Sequence, residues 1–156
     1  MRYYLIGYMC SGKSTIAREV SKKYNVPYFD IDDEVVKATG MTISKIFESY
    51  GEQYFRMVER RVLEIITDNN DNCIIACGGG LGCTSIDYLN EHGTTIYVKK
   101  TESEILERLT NDEIQKRPLL KGKNLQEYIL NQLKEREQQY NKAKYIYEED
   151  FNFEWS

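Results

Sequence analysis

Gly7, Gly12, Lys13 and Ser14 occupy the fixed positions of the stretch GYMCSGKST, which fits G-x-x-x-x-G-K-[ST] throughout. Glycines at these two places let a backbone curl until successive N–H groups converge on phosphate oxygens. The lysine supplies a cation for β- and γ-phosphates, and the hydroxyl beside it suits Mg²⁺. The stretch follows the apolar run RYYLI and enters the helix-period segment KSTIAREVSKKY, so a strand–loop–helix setting is predicted. A helix starting near Lys13 also points its positive end at a bound anion. Between a nucleoside-triphosphate site and a plain glycine-rich turn, the first reading is adopted. Its contacts are Cys10, Ser11, Gly12, Lys13, Ser14 and Thr15. Cys10 stands at a variable position, where packing is its expected role and no catalysis is assigned to it.

A second set of residues lacks a motif but has suggestive spacing. PYFDID reads as a strand closing in Asp30 and Asp32, two apart and therefore on one face. Asp33 and Glu34 follow as first-turn helix acids. Of the alternating pair, one could hold Mg²⁺ through water and the other could take a proton from a substrate hydroxyl. In NLQEYILNQLKEREQQY, Leu125, Tyr128, Ile129, Leu133 and Tyr140 form an apolar stripe at helical spacing, and Arg136 falls within it. An inward guanidinium needs an internal acid or an external anion, unless it snorkels at the edge of the core. Arg56 flanks another stripe with Glu59 three residues on, which by itself reads as a surface ion pair. Three consecutive glycines, Gly78, Gly79 and Gly80, follow the apolar strand CIIA, where a close approach to a ligand is favoured over a sharp turn.

These residues must be positioned by strands alternating with helices. RYYLIG, PYFDID, CIIAC and TIYVK read as strands. KSTIAREVSKKY, the stretch from Glu52 to Asn69, and TSIDYLNEH read as helices between them. That alternation predicts an α/β domain of three layers, a parallel sheet with ligands at the carboxyl ends of its strands. The 156 residues make one domain, with no internal repeat or linker. Residues 110 to 124, TNDEIQKRPLLKGKN, are polar and basic, and read equally as a solvated connector or a closing lid. His92 is expected at a helix C-terminus ended by Gly93, without a catalytic role. Trp155 reads equally as an exposed or a packed tail residue.

Composition limits the partners. A net charge of −4 disfavours broad nucleic-acid or membrane binding but leaves room for a small anionic substrate. No apolar run reaches the roughly 20 residues of a membrane span, and no export signal is read at the start. The four cysteines, at 10, 73, 77 and 83, have no C-x2-C pair and read as reduced thiols of a cytoplasmic protein.

Taken in order, GxxxxGKST, DID, FRxxE, GGG, RPLL and RExxxY resemble the shikimate kinase family from Gly7 to about Ala143. The resemblance implies a P-loop kinase fold, a five-stranded parallel sheet flanked by helices and carrying a mobile lid at about 110–124. It implies transfer of the ATP γ-phosphoryl to the 3-hydroxyl of shikimate, in aromatic amino-acid biosynthesis, with Mg²⁺ as cofactor. By motif position, Lys13 serves the phosphates, and Ser14 and Asp30 serve the metal. Asp32 would bind shikimate hydroxyls and act as base. Arg56 and Arg136 would clamp the carboxylate, and Gly78, Gly79 and Gly80 would touch the ring hydroxyls. Arg117 of RPLL would descend on the phosphates. Arg108 is the candidate for stacking on adenine, two residues farther from RPLL than in the family.

The chain departs from the family at Cys10, where glycine or another small residue is usual, at LGCT after the glycine run, and in the short acidic tail YEEDFNFEWS. Two rival readings stand beside this one. A related kinase of gluconate or a nucleoside monophosphate would share the phosphate loop. A non-catalytic nucleotide-binding module would leave Asp32, Arg56 and Arg136 without a common purpose. The expected partners are ATP and shikimate, and the default state is a monomer.

Overall fold

The computed structural model describes residues 1–109, 124–148 and 153. The expected lid, Asn124 excepted, lies outside the described residues, as do Arg117 and Trp155. Five parallel strands are ordered β2-β3-β1-β4-β5. They are β1 (Arg2–Ile6), β2 (Tyr28–Asp30), β3 (Cys73–Ala76), β4 (Thr94–Val98) and β5 (Tyr145–Tyr147). The first four match the apolar runs; β5, short and half exposed, carried no such signal.

Strands buried on both faces need a near-continuous apolar run, and β1 shows why. Tyr3 and Leu5 pack on one side with Ala17 and Val20 of α1 (Lys13–Tyr24). Tyr4 and Ile6 pack on the other with Leu63 of α4 (Glu52–Asn69) and Leu89 of α6 (Ile86–His92). Helices on both faces give the predicted three layers. Parallel register pairs Leu5 and Asp30 each with Ala76, and Ile6 with Tyr97. The carboxyl ends of β1, β2 and β3 therefore open at one edge, where the connections diverge to opposite sides of β1.

The remaining helices are α2 (Ile31–Thr39), α3 (Ile43–Tyr50), α5 (Gly79–Thr84), α7 (Glu102–Arg108) and α8 (Leu125–Tyr140). Two expectations are corrected here. The strand ends at Asp30, and Asp32 lies in the first turn of α2 rather than at an alternate strand position. Asp30 caps that helix, its Oδ1 accepting from the Asp33 N–H at 3.2 Å, and Ile31 and Val35 bury four residues apart. The segment expected as one helix through TSIDYLNEH divides at Ser85, because the glycine run itself coils into α5.

His92 does end α6, its Nδ1 2.8 Å from the Tyr88 carbonyl and its ring stacked on Tyr88. Gly93 is not in the left-handed conformation expected of a helix stop; its backbone is extended. Glycine is required there for space, since a Cβ would fall 2.6 Å from the Arg2 carbonyl oxygen and 2.7 Å from Tyr4 Cε2. Gly93→Ala should destabilise the fold by about 1–3 kcal/mol, read as a lowered melting temperature. Its Michaelis constants should be unchanged, because the strain lies at the opposite end of the sheet from the cleft.

Candidate active site

The loop from Gly7 to Gly12 wraps the head of α1 at the carboxyl end of β1. Cys10 sits at φ 60°, the left-handed region where any residue with a Cβ pays about 1–2 kcal/mol relative to glycine. Lys13 Nζ donates to the carbonyls of Gly7 (2.5 Å) and Tyr8 (2.8 Å), so the cation lies inside the curl of its own loop. Ser11 and Thr15 face the same cleft. Arg108, at the end of α7, donates from Nη1 to the Cys10 carbonyl at 3.1 Å, which brings this distant residue onto the loop.

Ser14 and Asp30 meet beside it. The Ser14 hydroxyl donates to Asp30 Oδ2 at 2.5 Å, while Oδ1 keeps the α2 cap. A hydroxyl and a carboxylate side by side are hard oxygen donors of the kind Mg²⁺ takes alongside substrate phosphates and waters. The donor set fits that ion.

The phosphate loop and the Ser14–Asp30 pair line one cavity of about 790 Å³ that extends to α4, α5 and α8. Asp32, Arg56 and Arg136 all line it, as do Gly78, Gly79 and Gly80, so the structure brings together residues from four separate segments. Asp32 reaches it from the first turn of α2; its Oδ1 lies 3.4 Å from where a Cβ of Gly78 would stand. Phe47, Phe55 and Tyr128 supply apolar surface, and Cys77 lies at the floor, where burial drives its thiol pKa far up.

The glycine run serves close approach, and the groups approaching are the arginines. A Cβ on Gly80 would fall 2.5 Å from Arg56 Cζ, and one on Gly79 3.1 Å from Arg136 Nη1. The guanidinium of Arg136 also faces the ring of Tyr8, Cζ 5.7 Å from its centroid. Tyr8 is buried among Ile105 and Ile129, and its hydroxyl donates to Gln132 Oε1. The phosphate loop and α8 thus share one packed contact.

The ion pair of Arg56 with Glu59 is not a surface one. Arg56 Nη1 meets Glu59 Oε1 at 3.0 Å, and the Glu59 side chain is 1% exposed. Glu52 lies 3.6 Å from the other guanidinium nitrogen. Burial pushes the Glu59 carboxyl up to about 7; Arg56 opposes this, and the nearby Asp32 adds to it. Because the folded pKa lies above the unfolded value of 4.5, the native state holds the extra proton between them. That contribution to stability is complete below 4.5 and is lost as pH rises through 7. Glu59→Gln should flatten the fall in melting temperature between pH 5 and about 8 relative to wild type, by up to about 3 kcal/mol. An equally steep fall in the variant would place the titrating group elsewhere.

Asp30, Asp32, Arg56, Arg108 and Arg136, singled out in the sequence, all line this cleft, whereas the burial of Glu59 and the parts of Tyr8, Gln132 and Cys77 were missed. The only available signal for Glu59 was its spacing from Arg56. Tyr8 and Gln132 meet across 124 residues of sequence, which no local pattern records.

Comparison with known proteins bears on the family and the fold. The family model for shikimate kinase matches residues 9–152. The shikimate kinase of Aquifex aeolicus is 42% identical over 145 residues, 92% of this chain and 83% of that one. Its crystal structure superposes with a TM-score of 0.83 at 38% identity, over 97% of this chain and 89% of that one. Shikimate kinase from Acinetobacter baumannii in complex with shikimate gives a TM-score of 0.85 at 30% identity, over 97% and 84%. A deoxyadenosine kinase from M. mycoides with bound dATP shares the fold alone, with a TM-score of 0.59 and 17% identity. With a family match over almost its whole length and a P-loop fold that carries the ordered motifs, the chain belongs to the shikimate kinase family.

Proposed function

We propose that the protein transfers the γ-phosphoryl of ATP to the 3-hydroxyl of shikimate, giving shikimate 3-phosphate and ADP in aromatic amino-acid biosynthesis. The observation that carries this is two guanidinium groups and the Asp32 carboxylate lining the same cleft as the phosphate loop. A carboxylate-bearing polyol suits that set, its carboxylate meeting the guanidinium groups and its hydroxyls meeting Asp32; a nucleoside monophosphate would also offer the arginines an anion, and the family match favours the polyol over it.

Arg56 and Arg136 bind the acceptor carboxylate, Arg56 already oriented by Glu59 at 3.0 Å. Gly78, Gly79 and Gly80 let the ring lie close to backbone. Asp32 accepts the proton of the 3-hydroxyl as its oxygen bonds to the γ-phosphorus and the bond to the β–γ bridging oxygen breaks. Lys13 exchanges its loop carbonyls for phosphate oxygens, and its charge offsets the negative charge that develops on the γ-phosphoryl and ADP. Loop residues Cys10, Ser11, Gly12 and Thr15 contribute to the phosphate cradle, Arg108 extends it toward the nucleoside, and Arg117 is assigned as a further phosphate cation. Ser14 and Asp30 would hold Mg²⁺, which when bound neutralises phosphate charge. Holding the acceptor hydroxyl and the γ-phosphoryl in line is the larger part of this catalysis.

A monomer is the proposed working unit. Among the described residues, no helix is long and apolar enough to cross a membrane. The proposed compartment is the cytoplasm, with ATP and shikimate as partners. Release of ADP from Mg·ATP, compared across shikimate, quinate, gluconate, CMP and AMP, tests the reading. Turnover dependent on shikimate and well above the rest is expected. Greater turnover with another acceptor would overturn the acceptor assignment, and none with any would favour a non-catalytic nucleotide-binding module.

A further inference from the structure

Resting on that reading, we propose that Tyr140 is a positioning residue for the acceptor clamp, its hydroxyl bridging the Arg136 guanidinium to the Gly79 carbonyl and so fixing where the guanidinium stands. Tyr140 lies one helical turn after Arg136 on α8, which brings the two side chains to one face. It is fully buried, with its ring 5.0 Å from that of Tyr97. A phenylalanine would fill the same space, so packing accounts for the ring but not for the hydroxyl. In such burial the hydroxyl must be partnered. Its Oη donates to the Gly79 carbonyl at 2.7 Å and has the Arg136 guanidinium beside it, both groups lying against the place a Gly79 Cβ would take. With the proton committed to the carbonyl, the oxygen is the acceptor toward the guanidinium, so donors and acceptors match.

Gly79 completes the device. A Cβ there would fall 3.1 Å from Arg136 Nη1 and 3.4 Å from Tyr140 Oη, inside the bridge itself. A long arginine side chain without an anchor samples several rotamers and must be ordered when an acceptor carboxylate arrives. The bridge orders it beforehand, so its contribution should appear in acceptor affinity rather than in the chemical step.

The test is Tyr140→Phe in the full chain, with both substrates varied and thermal unfolding followed. The expected result is a shikimate KM raised about tenfold, kcat within about threefold and the ATP KM unchanged. An unchanged shikimate KM overturns the proposal. So does a loss confined to kcat and melting temperature, which is what a purely structural tyrosine would give. In an Arg136→Ala background the same change should alter the shikimate KM by less than about twofold, because the bridge then has nothing to position; full additivity overturns it. If Tyr140→Phe does not fold, Gly79→Ala pushes the bridge apart from the other side, and a shikimate KM left at the wild-type value again overturns it. Wild-type turnover with shikimate tests the underlying reading separately, since it depends on no variant.

Discussion

Asp32→Asn lowers kcat by about 10²–10⁴ while ATP binding stays within about twofold of wild type. The amide keeps the size of the carboxylate and can still hydrogen-bond an acceptor hydroxyl, but it cannot take that proton. The nucleotide end should not register the change. Ser14 bonds to Asp30, not Asp32, and the α2 cap is also made by Asp30. One secondary effect is expected. Asp32 is among the charges that raise the Glu59 pKa, so the variant should lower it and shift the stability profile toward lower pH. Steady-state kinetics with an independent ATP titration decides the matter. A kcat near wild type would remove Asp32 as the base, and ATP affinity falling in step with turnover would move it to the nucleotide end of the cleft.

Arg136→Ala should raise the shikimate KM by an amount corresponding to roughly 2–5 kcal/mol, the cost of removing one partner of a desolvated charge pair. Arg56 remains, but its guanidinium is shared with Glu59 and Glu52, so it is a weaker sole anchor for a carboxylate. The ATP KM should move only a few-fold, through the lost contact with the ring of Tyr8 in the phosphate loop. Arg136→Lys separates charge from geometry: it keeps the cation but not the planar fork, and an intermediate KM is expected. An unchanged shikimate KM in the alanine variant would remove Arg136 from the clamp.

The two acids of DID illustrate a local derivation that failed although both residues line one cleft. Asp30 and Asp32 were expected to share a face because strand residues alternate. They lie instead on either side of a helix start. The side chain of Asp30 satisfies an otherwise orphaned N–H, and Ile31 and Val35 bury at helical spacing, so the helix prevails two residues early. The glycine run shows the converse. A close approach to a ligand was expected there, and what the structure shows approaching the backbone is the pair Arg56 and Arg136.

The phosphate loop, the four apolar strands and the spans of α1 and α4 were legible in the chain because each depends on interactions within a few residues. Apolar periodicity, a helix N-terminus at Lys13 and glycines at fixed spacing are local properties. The acceptor end was legible only as unexplained oddities, such as an arginine in an apolar stripe. Whether Glu59 is a surface partner of Arg56 or a buried carboxyl pushed up to about 7 depends on distant neighbours such as the Gly78 backbone and Asp32 that close over it. Burial, and with it the cost of charge, is set by contacts far apart in sequence. The same holds for Tyr8 on Gln132, Arg108 on the Cys10 carbonyl and Tyr140 on Gly79. The sequence by itself determined which chemical groups are present and which local elements carry them. Only the tertiary structure decided which groups face one cavity and which are stripped of water, because both are properties of packing between distant segments.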